Sequence, residues 1–279
     1  MKCSWRKPGQ FVPPRSISFS VPGFTSISVH RLIKTYMPGE LQQILPYLLV
    51  ATGAGIIGGI IASFWAPGLQ ARSAIQHFAA GVVVAAVASD LIPEVEKTGK
   101  PFGILSGFAA GGLVMIGLKW LVLRFERAEH GKGKLPLGLA AAAALDTLID
   151  GAIISAGFST GAQLGSLLAI ALAGELFFLT LSVGSEFHRH KSMRWRGLAV
   201  TTGIALLLMV GALSAFFILR GASEASVAVF LSFGAAALIY LIAEELLVEN
   251  IEAEESLFST AMLFLGFLAV LALKLTHEH

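Results

Sequence analysis

Eight times along this chain a window of about 20 predominantly apolar residues recurs, the length a helix rising about 1.5 Å per residue needs to cross the hydrocarbon core of a bilayer. The windows fall near 44–66, 73–92, 102–123, 137–157, 163–187, 197–219, 226–247 and 256–274 of 279 residues. Between them lie short connections with turn chemistry: Ala66-Pro67-Gly68, Thr98-Gly99-Lys100-Pro101, and the run from His130 to Pro136. Hydrophobic residues make up 55% and charged residues 14%, against the roughly 25% charged of a soluble domain. The expected fold class is therefore all-α, a polytopic membrane protein of eight transmembrane helices. No room is left for a soluble catalytic domain, so a transporter is expected rather than an enzyme. A net charge of +2 gives no basis for nucleic-acid binding. The single cysteine, Cys3, excludes a disulfide framework and a multi-thiolate metal site.

Eight spans put both termini on one side, and the Lys/Arg balance of the loops selects which. One face carries Arg72, Arg124, Arg127, Lys132, Lys134, Arg189, Lys191, Arg194 and Arg196; the other carries Lys97, Lys100, Arg220 and Lys274. Nine against four places the first set in the cytoplasm and the termini outside, in a multi-pass protein of a plasma or inner membrane. The leading segment of residues 1–40 opposes this count with Lys2, Arg6, Lys7, Arg15, Arg31 and Lys34. It reads as a disordered tail, an organelle-type leader or a mis-assigned start, separate from a transmembrane domain over 41–279.

Sliding the chain over itself gives one match, at an offset of 155: FAAGVVVAAVASDLIPE, 78–94, lies over FGAAALIYLIAEELLVE, 233–249. Phe78 meets Phe233, Asp90 meets Glu245 and Glu94 meets Glu249. These are the second and seventh spans, which cross in opposite directions. An inverted repeat of this kind places a substrate site near the midplane between the halves, here at the fourth and fifth spans.

All three aspartates, Asp90, Asp146 and Asp150, fall inside expected spans, as do Glu175, Glu186, Glu244 and Glu245. Asp90, Glu186, Glu244 and Glu245 lie near span ends, within reach of water. Asp146, Asp150 and Glu175 lie deeper, where each charge costs about 2.5–3.5 kcal/mol on the lenient insertion scale. The sole basic residue expected inside a span is Lys119, so the missing partner of the acids reads as a transported cation or a proton. Spacing favours convergence. Asp146 and Asp150 are i and i+4 with Thr147 beside them, and Glu175 and Ser182 share one stripe of the next span. Gly151 and Gly157 permit close approach of a neighbouring helix. The competing account has the acids protonated and hydrogen-bonded as packing glue.

Across residues 44–274 the chain resembles the ZIP family of divalent-metal transporters. The second span ends Leu91-Ile92-Pro93-Glu94, similar to that family's Leu-apolar-Pro-Glu ending. Its fourth-span pattern, His-polar-x-x-acid-Gly, is matched by DTLIDG, with Asp146 in the histidine's place, Thr147 at the polar position and Asp150 at the acid. Of the fifth-span pattern, polar-acid-x-x-Glu-Gly, AGELFFL keeps Glu175 alone; Gly174 and Phe178 stand at the other positions. Glu244 and Glu245 fall in the seventh-span gate region, and Val248 replaces a proline. The resemblance implies uptake of zinc, manganese or iron toward the cytoplasm, the ion being cargo rather than a permanent cofactor, and a homodimer in the bilayer. It carries Asp146, Thr147, Asp150 and Glu175 over to the ion and Glu244 with Glu245 to the gate. Together with the spacing, the expected ion site is Asp146, Asp150 and Glu175 with Thr147 and Ser182 adding oxygen ligands, Asp90 with Glu94 at the outer mouth and Glu244 with Glu245 at the inner exit.

The departures have chemical consequences. No histidine lies mid-span, and oxygen donors favour harder ions such as manganese over zinc. With Phe178 at the second acid position, one ion per site is expected. Two aspartates on one helix do not make the two-helix dyad of an intramembrane aspartyl protease. A ZIP-like scaffold or metal sensor without transport, and a proton-coupled carrier of a non-metal substrate, remain the alternatives.

Overall fold

The computed structural model describes residues 39–65, 67–98, 100–128, 137–189, 194–249 and 257–277. Among them every regular element is a helix. These are α1 (Gly39–Phe64), α2 (Leu69–Ala86), a π-turn (Val87–Leu91), α3 (Ile92–Thr98), α4 (Pro101–Ala128) and α5 (Leu137–Thr160), followed by α6 (Ala162–Arg189), α7 (Arg194–Leu219), α8 (Glu224–Glu249) and α9 (Leu257–His277). The chain divides at Gln42 into two units; of the first, the described part is the opening turn of α1. Eight helical segments are long and apolar enough to cross a membrane, and by length and composition the protein is a multi-pass membrane protein. The basic tail to residue 38, the His130 loop and the acidic run 250–256 lie outside the described residues, as do the side chains of Glu244, Glu245 and His188.

Five of the eight helices agree with their apolar windows to within three residues; α1 begins five residues early, α4 runs five residues past its window, and the second span runs to Thr98 instead of ending near residue 92. The cause is local. Pro93 has no N–H to give the carbonyl of Ser89 four residues back, and the chain widens there into the π-turn. The Lys274 ammonium of α9 donates to the Ser89 carbonyl at 2.7 Å in place of the missing amide. The turn between α7 and α8 is built differently: Gly221 adopts φ 81°, a left-handed conformation that glycine tolerates at a helix end. Ser223 then caps α8, its hydroxyl accepting the Ser226 N–H at 3.2 Å.

Packing separates two groups of helices. In the first, α5 packs on α7 and α6, α6 on α7, and α1 lies against α6 and α7 through Gly55, Gly58 and Gly59. The Thr180 hydroxyl lies 2.8 Å from the Gly55 carbonyl of α1, and its one proton is shared between that acceptor and the Leu176 and Phe177 carbonyls of its own helix at 2.9 and 3.0 Å. In the second group the main pairs are α2 with α9 and α4 with α8. Gly266 lies against the Phe78 carbonyl and Gly111 against the Phe233 carbonyl, each too close for a side chain. Near the other end of α2, Ser73 and Ser259 hydroxyls meet at 3.1 Å, and buried His77 donates Nδ1–H to the Ser73 carbonyl at 2.8 Å. Contacts of α2 with α6, α5 with α8 and α4 with α5 join the groups. The α6 span is the most enclosed, 67% buried, whereas the α4 and α9 spans are 17% and 12% buried. Exposed apolar side chains such as Leu113 and Phe264 on these outer helices fit a lipid environment.

Candidate metal centre

A hairpin of small residues sets the site. Helices α5 and α6 are joined by Gly161 alone, whose N–H bonds the Gly157 carbonyl at 3.1 Å. Gly157 lies against Gly165 and Leu168 with no space for a larger side chain. That contact fixes the antiparallel register: seven residues back from Gly157 and seven on from Leu168 are Asp150 and Glu175. Both lie at the middle of their spans, Ala140–Thr160 and Ala162–Phe187. Gly151 brings the same stretch of α5 against the Leu208 carbonyl of α7, so Asp150 is held from two sides.

Carboxylate oxygens of Asp146, Asp150 and Glu175 all lie within 4.8 Å of one another. The sequence placed these three acids together and the fold does so. Asp150 and Glu175 are buried and Asp146 is half-buried. Opposite ligands of a six-coordinate ion are separated by twice the bond length, about 4.2 Å around magnesium and about 5 Å around calcium. The cluster thus has the span of a single hard-cation site, and its donor set is oxygen throughout. Within the first helix group, the membrane-crossing segments contain no lysine and, apart from Arg196 in the first turn of α7, no arginine.

The remaining expected ligands divide. Thr147 is fully buried beside Asp146, and its hydroxyl donates to the Ala143 carbonyl at 2.8 Å, which leaves the oxygen lone pairs available. Ser182 is buried on α6 but seven residues beyond Glu175, about 10 Å along the axis. The glutamate side chain leans toward the helix N-terminus, away from it. Ser182 therefore marks a separate point on the stripe and does not share one ion with Glu175. Glu244 and Glu245 belong to α8 by their backbone.

Asp90 requires a correction. Its expected lack of a cationic partner is overturned, because Lys274 lies inside the last membrane-crossing helix and places Nζ 2.9 Å from Asp90 Oδ1. Ser89 Oγ donates to Asp90 Oδ2 at 2.6 Å. Lys119 is accordingly not the one basic residue within a span: Lys97, Arg196 and Lys274 also fall inside membrane-crossing segments, each near a span end. Asp90 and Lys274 line a cavity of about 410 Å³ with Glu94 and Lys97 from the second helix group and Thr160, Gln163 and Leu167 from the α5–α6 hairpin. The cavity occupies the seam between the groups. Leu167 is two turns of α6, about 12 Å, from Glu175, and Ile153, Ile154, Leu168 and Leu172 are buried in the intervening turns.

No protein-family model matches this chain, and no curated protein matches it in sequence.

Proposed function

We propose that the protein is a ZIP-like transporter that carries a divalent metal ion across the membrane through Asp146, Asp150 and Glu175. The observation that carries this reading is the convergence of three carboxylates from two helices at mid-span. Holding charge at that depth costs several kcal/mol, about 8–10 for three acids on the lenient scale. A passing cation offsets the cost. Oxygen donors and the absence of a mid-span histidine favour manganese, magnesium or iron(II) over zinc. Thr147 supplies a further oxygen beside Asp146. Direction toward the cytoplasm, with the Asp90 cavity outside, follows from the loop-charge count and from the family resemblance.

Helix pairing supports an inverted repeat in which each span is related to the one five places on and the fourth to the fifth. Under that relation α2–α9 becomes α8–α4, α1–α6 becomes α7–α5, and α2–α6 becomes α8–α5; all six contacts are present. At the offset of 155, Phe78 maps to Phe233 and Gly111 to Gly266, so the Gly266–Phe78 and Gly111–Phe233 approaches are copies of one contact. The ion site belongs wholly to the α1, α5, α6 and α7 group, which can move past the other group with its cargo. The buried layer between the seam cavity and Glu175, with half-buried Asp146 on the far side, is the arrangement of a carrier closed outward.

Reconstituted protein tests the reading. Manganese(II) uptake into proteoliposomes is expected for the wild type and at least tenfold slower initial rates for Asp150→Asn and Glu175→Gln. Unchanged rates in both variants would remove the site. No flux of manganese, iron, zinc or cadmium by the wild type would favour a sensor or scaffold.

A further inference from the structure

The seam cavity carries an inference about regulation of entry that rests on the transport reading. We propose that Lys274 is a tethered cation that competes with the incoming metal ion for Asp90, and so sets the concentration at which the outer vestibule loads. The two side chains are 22% and 10% exposed and their charged atoms are 2.9 Å apart. Lys274 cannot swing away freely, since the same ammonium serves the Ser89 carbonyl orphaned by Pro93. The other acid of the cavity, Glu94, meets Lys97 at 3.3 Å, but that lysine is 70% exposed and is easily displaced into solvent.

An ion arriving at the seam therefore meets Asp90 already neutralised. Attraction from the carboxylate and repulsion from an ammonium under 3 Å away largely cancel at the ion's distance. Entry then requires the ion to displace the ammonium, at the cost of both its bonds. Lys274 is a specificity-determining residue on this account: it discriminates against monovalent ions and low concentrations of divalent ones, and does not itself ligate the cargo.

Lys274→Gln is the decisive variant, because the amide can still donate to the Ser89 carbonyl while the charge is gone. Lys274→Gln is expected to lower the half-saturating manganese(II) concentration for uptake about fivefold, the effect of removing one partly exposed charge. Lys274→Arg, which keeps the charge, stays closer to wild type. Adding Asp90→Asn to Lys274→Gln abolishes the gain. Calorimetric titration of the full chain in nanodiscs with manganese(II), in an Asp150→Asn background, separates this idea from the transport reading. There Lys274→Gln is expected to create a binding event that Asp90→Asn removes, whether or not the wild type moves an ion. An unchanged half-saturation and no new binding event in Lys274→Gln would overturn the proposal, as would a gain that survives Asp90→Asn. Loss of thermal stability in Lys274→Gln with manganese binding unaltered would assign Lys274 to helix packing alone.

Discussion

At the seam cavity a carboxylate faces an ammonium from its own chain; at mid-span three carboxylates face one another. Asp90 and Lys274 are separated by 184 positions and meet where α2 gives way to α3. There a proline has broken the backbone ladder and one lysine answers both the orphaned carbonyl and the acid. Asp146, Asp150 and Glu175 sit in helices whose membrane-crossing segments carry no lysine or arginine at all. The same residue type is thus used in two ways. Near a span end, the protein supplies the counter-charge internally and gains a structural clamp. At mid-span the geometry gathers three carboxyl groups from two helices at one point, the donor set that the proposed ion site uses.

The largest test of this contrast is thermal stability with and without metal. A ligand that binds the folded state at a hundred times its dissociation constant stabilises by about 2.7 kcal/mol. Manganese(II) is expected to raise the melting temperature of the wild type by that equivalent, and a chelator to reverse it. Asp150→Asn and Glu175→Gln should abolish the shift, whereas Lys274→Gln should retain it. Metal stabilisation that persisted in both mid-span variants would erase the distinction between the two carboxylate environments.

Somewhat smaller is the effect of disturbing how Asp150 is held. A methyl group at Gly151 would press on the Leu208 carbonyl of α7, and backbone cannot yield as a side-chain tip does. Gly151→Ala is expected to cost about 1–3 kcal/mol, the usual penalty of overpacking, and to slow uptake. Gly112→Ala, on a stretch of α4 with no atom near the new methyl, should leave the melting temperature within a degree or two. Equal losses in the two variants would show that the α5–α7 contact has no special hold on the site.

Much of the mid-span region was legible in the sequence because it depends on local periodicity. The apolar windows located the helices, and the i, i+4 spacing of Asp146 and Asp150 put both on one face. The register bringing Glu175 to them was half visible: Gly157 marked a close approach, but its partners Gly165 and Leu168 emerge only from the fold. The seam was not legible. Lys274, the last residue of its apolar window, counted with the loop charges, and nothing local ties residue 274 to residue 90. A signal existed in Pro93, which guarantees an orphaned carbonyl at Ser89, and in Lys274 as the one lysine or arginine of α9. Joining the two required tertiary contact. Ser182 failed in the opposite sense, since one stripe of a helix is not one point along it.

A finer probe is the hydrogen bond that ties α1 to the site-bearing α6. Thr180→Val removes the bond to the Gly55 carbonyl while keeping the side chain's shape. Interhelical side-chain bonds in membrane proteins average about 0.6 kcal/mol, so a small drop in melting temperature is expected. Thr180→Ser should recover most of it. If α1 travels with the site as one body, uptake by Thr180→Val stays near wild type; a severe loss of uptake with little loss of stability would mean that α1 and α6 separate during transport.

The smallest effect belongs to the second ion pair of the cavity, and it sharpens the role given to Lys274. Lys97 and Glu94 are 3.3 Å apart with Lys97 largely in solvent, a pairing of the exposed kind that contributes about 0.2–1 kcal/mol to stability in measured cases. Salt screens it further, over about 8 Å at physiological ionic strength. Lys97→Met should therefore change neither the melting temperature measurably nor the half-saturating manganese(II) concentration by more than about twofold. Both lysines border the same cavity, so they differ in anchorage rather than in charge. If Lys97→Met matched the gain expected of Lys274→Gln, the vestibule would be responding to net charge alone, and the anchoring of Lys274 by Ser89 and Asp90 would have no bearing on ion entry.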